Sequence, residues 1–214
     1  MLFQDRVEAG RRLAQLLESY RESDSMVLAV PRGGVVVGYE VASRLGLPLD
    51  VVVPRKLGAP GEPELAIGAV APWDDEGVVI DQESVRFLGV SRDYILREIE
   101  EQRREIARRL RLYRGTDEPP NIAGKTALLI DDGIATGCTL EAAVKCLRKL
   151  GAAKIVAAAP VSSAEAADRL SWAADEFYTL ATPEPFMAVG RWYVDFDQTS
   201  DEEVIRLLSV SKDG

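Results

Sequence analysis

Short apolar runs alternate with longer stretches of helical spacing along this chain, and the alternation leaves few folds open. Met26 to Val30 is apolar throughout and stops at Pro31, and Leu49 to Val53, apolar except for Asp50, stops before Pro54. Thr126 to Ile130 runs into two aspartates, Ile155 to Ala159 ends at Pro160, and Glu176 to Leu180 closes the series. Most of these runs lack the polar alternation of a half-exposed strand, so they read as strands buried on both faces. Between them lie helical patterns. Residues 3 to 20 repeat Val7, Leu13, Leu16 and Leu17 at helical spacing, and Val35 to Leu45 is closed by Gly46. Residues 91 to 113 are the longest such pattern, with Ser91 as N-cap and Gly115 beyond the end, and Leu140 to Leu150 is ended by Gly151. Strand and helix in turn predict an α/β fold, an open, mainly parallel twisted sheet with helices on both faces and right-handed crossovers.

Some segments stand outside that rhythm. RKLGAPGEPE, residues 55 to 64, combines glycine and proline too densely for a regular element and reads as a mobile loop. Ala66 to Ala71 and Gly77 to Ile80 read as strands around the turn PWDDE. After TPEPF the aromatic-rich tail MAVGRWYVDFDQ breaks the pattern. The expected organisation is a core over 1–182, with a helical insertion at about 82–115, and a small C-terminal hood over 183–214. At 214 residues and 47% hydrophobic, the chain can bury a full core.

Composition excludes several chemistries. There is no histidine, which removes Ser-His-Asp hydrolases, Cys-His proteases and most zinc enzymes. The formal charge of -9 repels nucleic-acid phosphates, so no nucleic-acid partner is expected. The basic cluster from Arg103 to Arg111 is interleaved with glutamates and reads as a solvated helix face. Two cysteines, Cys138 and Cys146, imply no disulfide framework, and neither a signal peptide nor a membrane span is visible, so a cytoplasmic protein is expected.

The chemistry concentrates in ALLIDDGIATGCTL, Ala127 to Leu140. Asp131 and Asp132 leave the end of a buried strand side by side, and two adjacent carboxylates there call for hydroxyls or a cation to offset their repulsion. Gly133 and Gly137 let the following backbone fold tightly, so that amides at a helix start converge on an anion, with Thr136 and Thr139 adding hydroxyls. Carboxylates for a sugar diol beside a donor cup describe a ribose 5-phosphate. A second loop, Pro31-Arg32-Gly33-Gly34, places a cation and amides at the same sheet edge. Neither G-x-G-x-x-G after the first strand nor G-x-x-x-x-G-K-[ST] occurs.

A buried strand followed by Asp-Asp, a small spacer, Thr-Gly and a hydroxyl residue resembles the 5-phosphoribosyl 1-pyrophosphate (PRPP) signature of type I phosphoribosyltransferases. The resemblance covers roughly Met26 to Ala159. It implies that Asp131 and Asp132 bind the ribose hydroxyls and, through ribose or water, a magnesium ion. Gly133, Ala135, Thr136, Gly137, Cys138 and Thr139 would then surround the 5-phosphate, with Cys138 a spacer. Arg32, Gly33 and Gly34 would meet pyrophosphate across a non-proline cis peptide, and Arg55 and Lys56 would close over it from a loop. Asp131, Asp132, Arg32 and Lys56 are the expected catalytic set. The tail more loosely resembles the hood of purine phosphoribosyltransferases, with Trp192 and Asp195 as counterparts of the base-stacking aromatic and the acid near magnesium. The implied activity is phosphoribosyl transfer from PRPP to a nitrogenous acceptor, of which a purine-like base is one candidate, in a homodimer. Two other readings compete. A PRPP- or nucleotide-binding regulator of transcription with little catalysis should carry a segregated basic face for DNA or RNA, and a phosphohydrolase using Asp131 as nucleophile usually has Asp-x-Asp, whereas these acids are adjacent.

Overall fold

The computed structural model describes residues 2–73 and 77–211, so Asp74, Asp75 and Glu76 of the expected PWDDE turn lie outside the described residues. The strands are β1 (Ser25–Ala29), β2 (Leu49–Val51), β3 (Arg55–Ala59), β4 (Glu62–Val70), β5 (Val78–Ile80), β6 (Thr126–Ile130), β7 (Lys154–Val161) and β8 (Glu176–Ala181). The helices are α1 (Arg6–Leu16), α2 (Gly33–Leu45), α3 (Gln82–Phe87), α4 (Arg92–Arg114), α5 (Cys138–Lys149), α6 (Ala164–Ala173) and α7 (Asp201–Val210). No helix among the described residues is long and apolar enough to cross a membrane.

Five strands form a parallel sheet in the order β2-β1-β6-β7-β8. Successive side chains on a strand point to opposite faces, and the core divides accordingly. Val27, Ala29, Leu128, Ile130, Val156 and Ala158 pack with residues of α1, α2, α4 and α7, whereas Leu28, Ala127, Leu129, Ile155 and Ala157 pack with α5 and α6. Burial on both sides is why these strands read as unbroken apolar runs, each large side chain contributing ~1.5–3 kcal/mol. Helix ends follow the expected chemistry. Ser91 Oγ accepts from the Tyr94 amide, Ser163 and Ser200 cap α6 and α7 in the same way, and Gly46 and Gly115 end α2 and α4 in the left-handed region.

Three expectations need correction. RKLGAPGEPE is not irregular: β3 and β4 form an antiparallel hairpin, extended by β5 into a second, three-stranded sheet. Its prolines sit where the ladder does not need a donor. Pro54 precedes β3, Pro60 occupies the two-residue turn with Gly61, and Pro63 falls in the register shift between the pairs Ala59–Glu62 and Gly58–Ala66, packed against Gly58. Likewise, β7 does not end at Pro160 but continues to Val161, because its last rung with β6 is Ile130 to Ala158 and a proline beyond it breaks no bond on that side. The first helix is also shorter than 3 to 20. Asp5 caps α1, and Phe3 instead bridges Tyr193 of the tail.

Candidate functional site

The chain leaves β1 toward β2 on one side and β6 toward β7 on the other, so the order of strands reverses between β1 and β6. A crevice opens at the carboxyl ends of strands at such a point. The two loops singled out from the sequence emerge there side by side.

The loop after β1 turns directly into α2 through a cis Pro31-Arg32 peptide. Gly33 and Gly34 are required by close approach. A Cβ on Gly33 would lie 1.9 Å from Asp132 Oδ2, and one on Gly34 would lie 2.9 Å from Asp131 Oδ1 and 3.0 Å from its Cα. The acid pair after β6 is therefore pressed against the loop after β1. Asp131 Oδ1 accepts from the Asp132 amide at 2.8 Å, while Asp132 Oδ2 accepts from Arg6 Nε at 2.7 Å. Burial and then repulsion by Asp132 push the Asp131 carboxyl well above the usual carboxylate range. Burial raises Asp132 as well, against the pull of Arg6.

Beyond the acids the backbone is pinned to the end of β7. The Ile134 amide donates to Val161 O at 2.9 Å, the Ser163 amide donates to Ile134 O at 2.9 Å, and Ser163 Oγ donates to Ala135 O at 2.6 Å. Thr136 and Gly137 follow, Gly137 at φ 75° as the N-cap of α5, which has no side-chain cap. The amides at Cys138 and Thr139 thus begin a helix whose first turn has no acceptor of its own, the geometry of an anion site. Glu141 in that turn would oppose an anion, yet Lys145 at 2.9 Å and Arg169 at 3.0 Å pair with it. Despite its burial they hold its carboxyl below the ordinary range.

Arg32 remains at the crevice, with Nη1 3.8 Å from Asp201 Oδ1 at the start of α7, and Asp201 in turn accepts from the Tyr113 hydroxyl. Arg55 is placed differently from expectation. Its Nε donates to Gln102 Oε1 of α4 at 2.8 Å, and burial followed by repulsion from Arg109 lowers its guanidinium pKa. Arg55 therefore belongs to the α4 side of the hairpin. Lys56 faces the other way, sharing a sheet face with its cross-strand partner Ala69, which packs on Ala142 and Cys146 of α5.

The tail covers the acid pair by contacts that its sequence did not announce. The Tyr193 hydroxyl donates to Asp132 O, and Val189 packs on Gly133. Trp192 ends a 3-10 turn and accepts the Phe3 amide through its carbonyl, with Nε1 buried and without a hydrogen-bond partner. Asp195 is exposed and accepts from the Asp197 amide at 3.2 Å. Arg6 and Tyr193 are the residues that sequence reasoning missed. Arg6 lies 126 positions from its partner Asp132, and no local spacing marks it. Among the described residues no group of three or more His, Cys, Asp or Glu is arranged to hold a metal ion.

The doubly wound sheet, with an acid pair and an uncapped helix start meeting at its switch point, defines an α/β protein with a crevice at its strand ends. The chain belongs to the phosphoribosyl transferase domain family, whose model matches residues 4–180. It is 45% identical over 211 residues to a Mycobacterium tuberculosis protein whose name, phosphoribosyl transferase, is itself provisional. That alignment covers 97% of this chain and 46% of the relative. The chain thus spans about half the length of the curated relatives it matches. A shorter match, 44% identical over 68 residues and covering 29% of this chain and 24% of the relative, is to a ribose-phosphate pyrophosphokinase of Pyrococcus furiosus. The crystal structure of TT1426 from Thermus thermophilus superposes with a TM-score of 0.79 at 42% identity, covering 97% of this chain and 98% of that one. The family expected from Ala127 to Leu140 is therefore the family found.

Proposed function

We propose that this protein transfers the 5-phosphoribosyl group of PRPP to a nitrogenous acceptor with release of pyrophosphate. The observation that carries the reading is the contact of Gly33 and Gly34 with Asp132 and Asp131, which joins both loops in one crevice beside the uncapped start of α5. In this reading Asp131 and Asp132 accept from the ribose hydroxyls. The backbone from Gly133 to Thr139 holds the 5-phosphate, and Arg32 with Gly33 and Gly34 receives pyrophosphate. The bond from C1 to the pyrophosphate oxygen breaks as the acceptor nitrogen bonds C1, and the acceptor's proton passes to solvent. Positive charge developing at C1 lies close to the acid pair, and negative charge on the leaving group lies near Arg32 and the α2 start, so positioning and electrostatics carry the rate without imidazole. Two carboxylates without a full cage suit magnesium, a cation that keeps waters and binds substrate phosphates. Asp131 and Asp132 would reach it through ribose or water, and it would neutralise charge on pyrophosphate. Lys56 would join from the α5 face of the hairpin.

Incubation with PRPP, magnesium and a panel of nitrogenous bases, with pyrophosphate release measured beside PRPP affinity, tests this reading. Absence of PRPP binding at millimolar concentration would overturn it, and binding without turnover on any base would favour a PRPP-binding regulator. Asp131→Asn with Asp132→Asn should weaken PRPP far more than inorganic phosphate, and equal loss of both would contradict the ribose assignment.

A further inference from the structure

Arg6 is the first residue of α1, outside both donor loops, yet it reaches the acid pair. Its Nε donates to Asp132 Oδ2 at 2.7 Å, and the two side chains are only 12% and 15% exposed. Its Nη1 donates to Asp197 O at 2.7 Å, and its guanidinium lies 3.8 Å from the centroid of the Phe196 ring. A Cβ on Gly33 would meet Arg6 Nε at 2.6 Å, so the guanidinium also borders the loop after β1. One side chain thus touches the second acid, the glycine loop and the tail.

The backbone around it strengthens that arrangement. Phe3 and Gln4 are laced to the tail, the Phe3 amide donating to Trp192 O at 2.8 Å, Val194 to Phe3 O at 2.8 Å and Asp195 to Gln4 O at 2.9 Å. Tyr193 packs at a tilt between Phe3 and Phe196, with ring centroids 5.4 and 4.9 Å away, and its hydroxyl donates to Asp132 O. The first residues and the tail therefore form one unit that grips Asp132 twice, at its carboxylate through Arg6 and at its carbonyl through Tyr193.

Resting on the phosphoribosyl-transfer reading, we infer that Arg6 is a positioning residue for the ribose. It fixes one carboxylate oxygen of Asp132 and so presents the other to the sugar diol, as the Asp132 amide does for Asp131. It also removes one unit of negative charge from a crevice that must admit a polyanion. Both tasks require a cation with two directed donors, one for the carboxylate and one for the tail, which arginine supplies and lysine supplies only as a point charge.

The experiment is a double-mutant cycle of Arg6→Ala and Asp132→Asn, with Arg6→Lys beside it, reading KM for PRPP, kcat, and dissociation constants for inorganic phosphate and pyrophosphate. Arg6→Ala should raise KM for PRPP by about tenfold or more, with phosphate and pyrophosphate affinities within about threefold of wild type. In the Asp132→Asn background the same change should alter KM by less than about twofold, since the two residues act through one contact. Arg6→Lys should recover part of the loss. An unchanged KM in Arg6→Ala, additivity in the cycle, or equal loss of all three ligands would overturn the inference while leaving the transfer reading in place. Failure of the wild-type protein to bind PRPP would overturn both.

Discussion

Val189 occupies the space where a side chain on Gly133 would stand: a Cβ there would lie 2.2 Å from Val189 Cγ1 and 2.8 Å from Cγ2. The tail is fitted against the loop that leaves the acid pair, and neither can gain an atom alone. Gly133→Ala should therefore destabilise the protein by about 1–3 kcal/mol, the usual cost of forcing an extra carbon into a packed contact. Val189→Ala in the same chain should restore part of it. Urea unfolding of the single and double variants measures both.

Arg114 ties the end of α4 to β2 through two bonds to Asp50, Nε to Oδ1 at 2.8 Å and Nη2 to Oδ2 at 3.0 Å, with the arginine side chain only 9% exposed. Removing one partner leaves the other as an uncompensated charge. Arg114→Ala should cost about 3–5 kcal/mol, and Asp50→Ala added to it should cost less than the sum. Simple additivity in the denaturation midpoints would rule out this account.

The acid limb of stability should carry a signature from Glu105. Hydrogen bonds from Arg108, then from Arg109, hold its carboxyl at about 2, below the ordinary 4.5, despite partial burial. A folded-state value below the unfolded one stabilises the fold above pH 4.5 and loses that contribution as pH falls through about 2. Because Arg108 is largely exposed, the effect is about 1 kcal/mol. Glu105→Gln should be less stable than wild type by that amount at pH 7, and the two unfolding curves should converge near pH 2.

Asp201 faces Arg32 at 3.8 Å while accepting from Tyr113, whose hydroxyl pKa is pushed up to about 12 by burial and by that bond. A carboxylate so close to the proposed pyrophosphate cation competes with an incoming anion. Asp201→Asn should tighten pyrophosphate by roughly fivefold, the equivalent of ~1 kcal/mol, with little change in thermal stability. Weaker binding in calorimetry would show that Asp201 instead holds Arg32 in the geometry the anion needs.

The parallel sheet was legible because its strands are buried on both faces and carry their signal in composition alone. The acid pair and glycine loop were legible because each lies within a few residues of a strand end. The hairpin was not, since three prolines within ten residues look like disorder until the turn and register shift show that none of their missing donors is needed. Arg55 and Lys56 read as a pair of cations on one mobile loop, whereas on a strand neighbouring side chains point to opposite faces, which no reading of the segment as a loop can show. The grip of Arg6 and Tyr193 on Asp132 was invisible for a different reason: it joins the two ends of the chain to its middle, and no window of sequence contains all three.

The neighbours β1 and β6 share a register from Ser25 with Thr126 to Ala29 with Ile130, although nearly half the chain runs between them. Everything from Val30 to Lys125 is thus an excursion that begins and ends at the same pair of strands. Because β3 and β4 belong to a separate three-stranded sheet, lengthening their hairpin would leave the register of β1 with β6 unbroken. On the proposed reading, the hairpin can vary with the acceptor while the acid pair keeps its place at the end of β6.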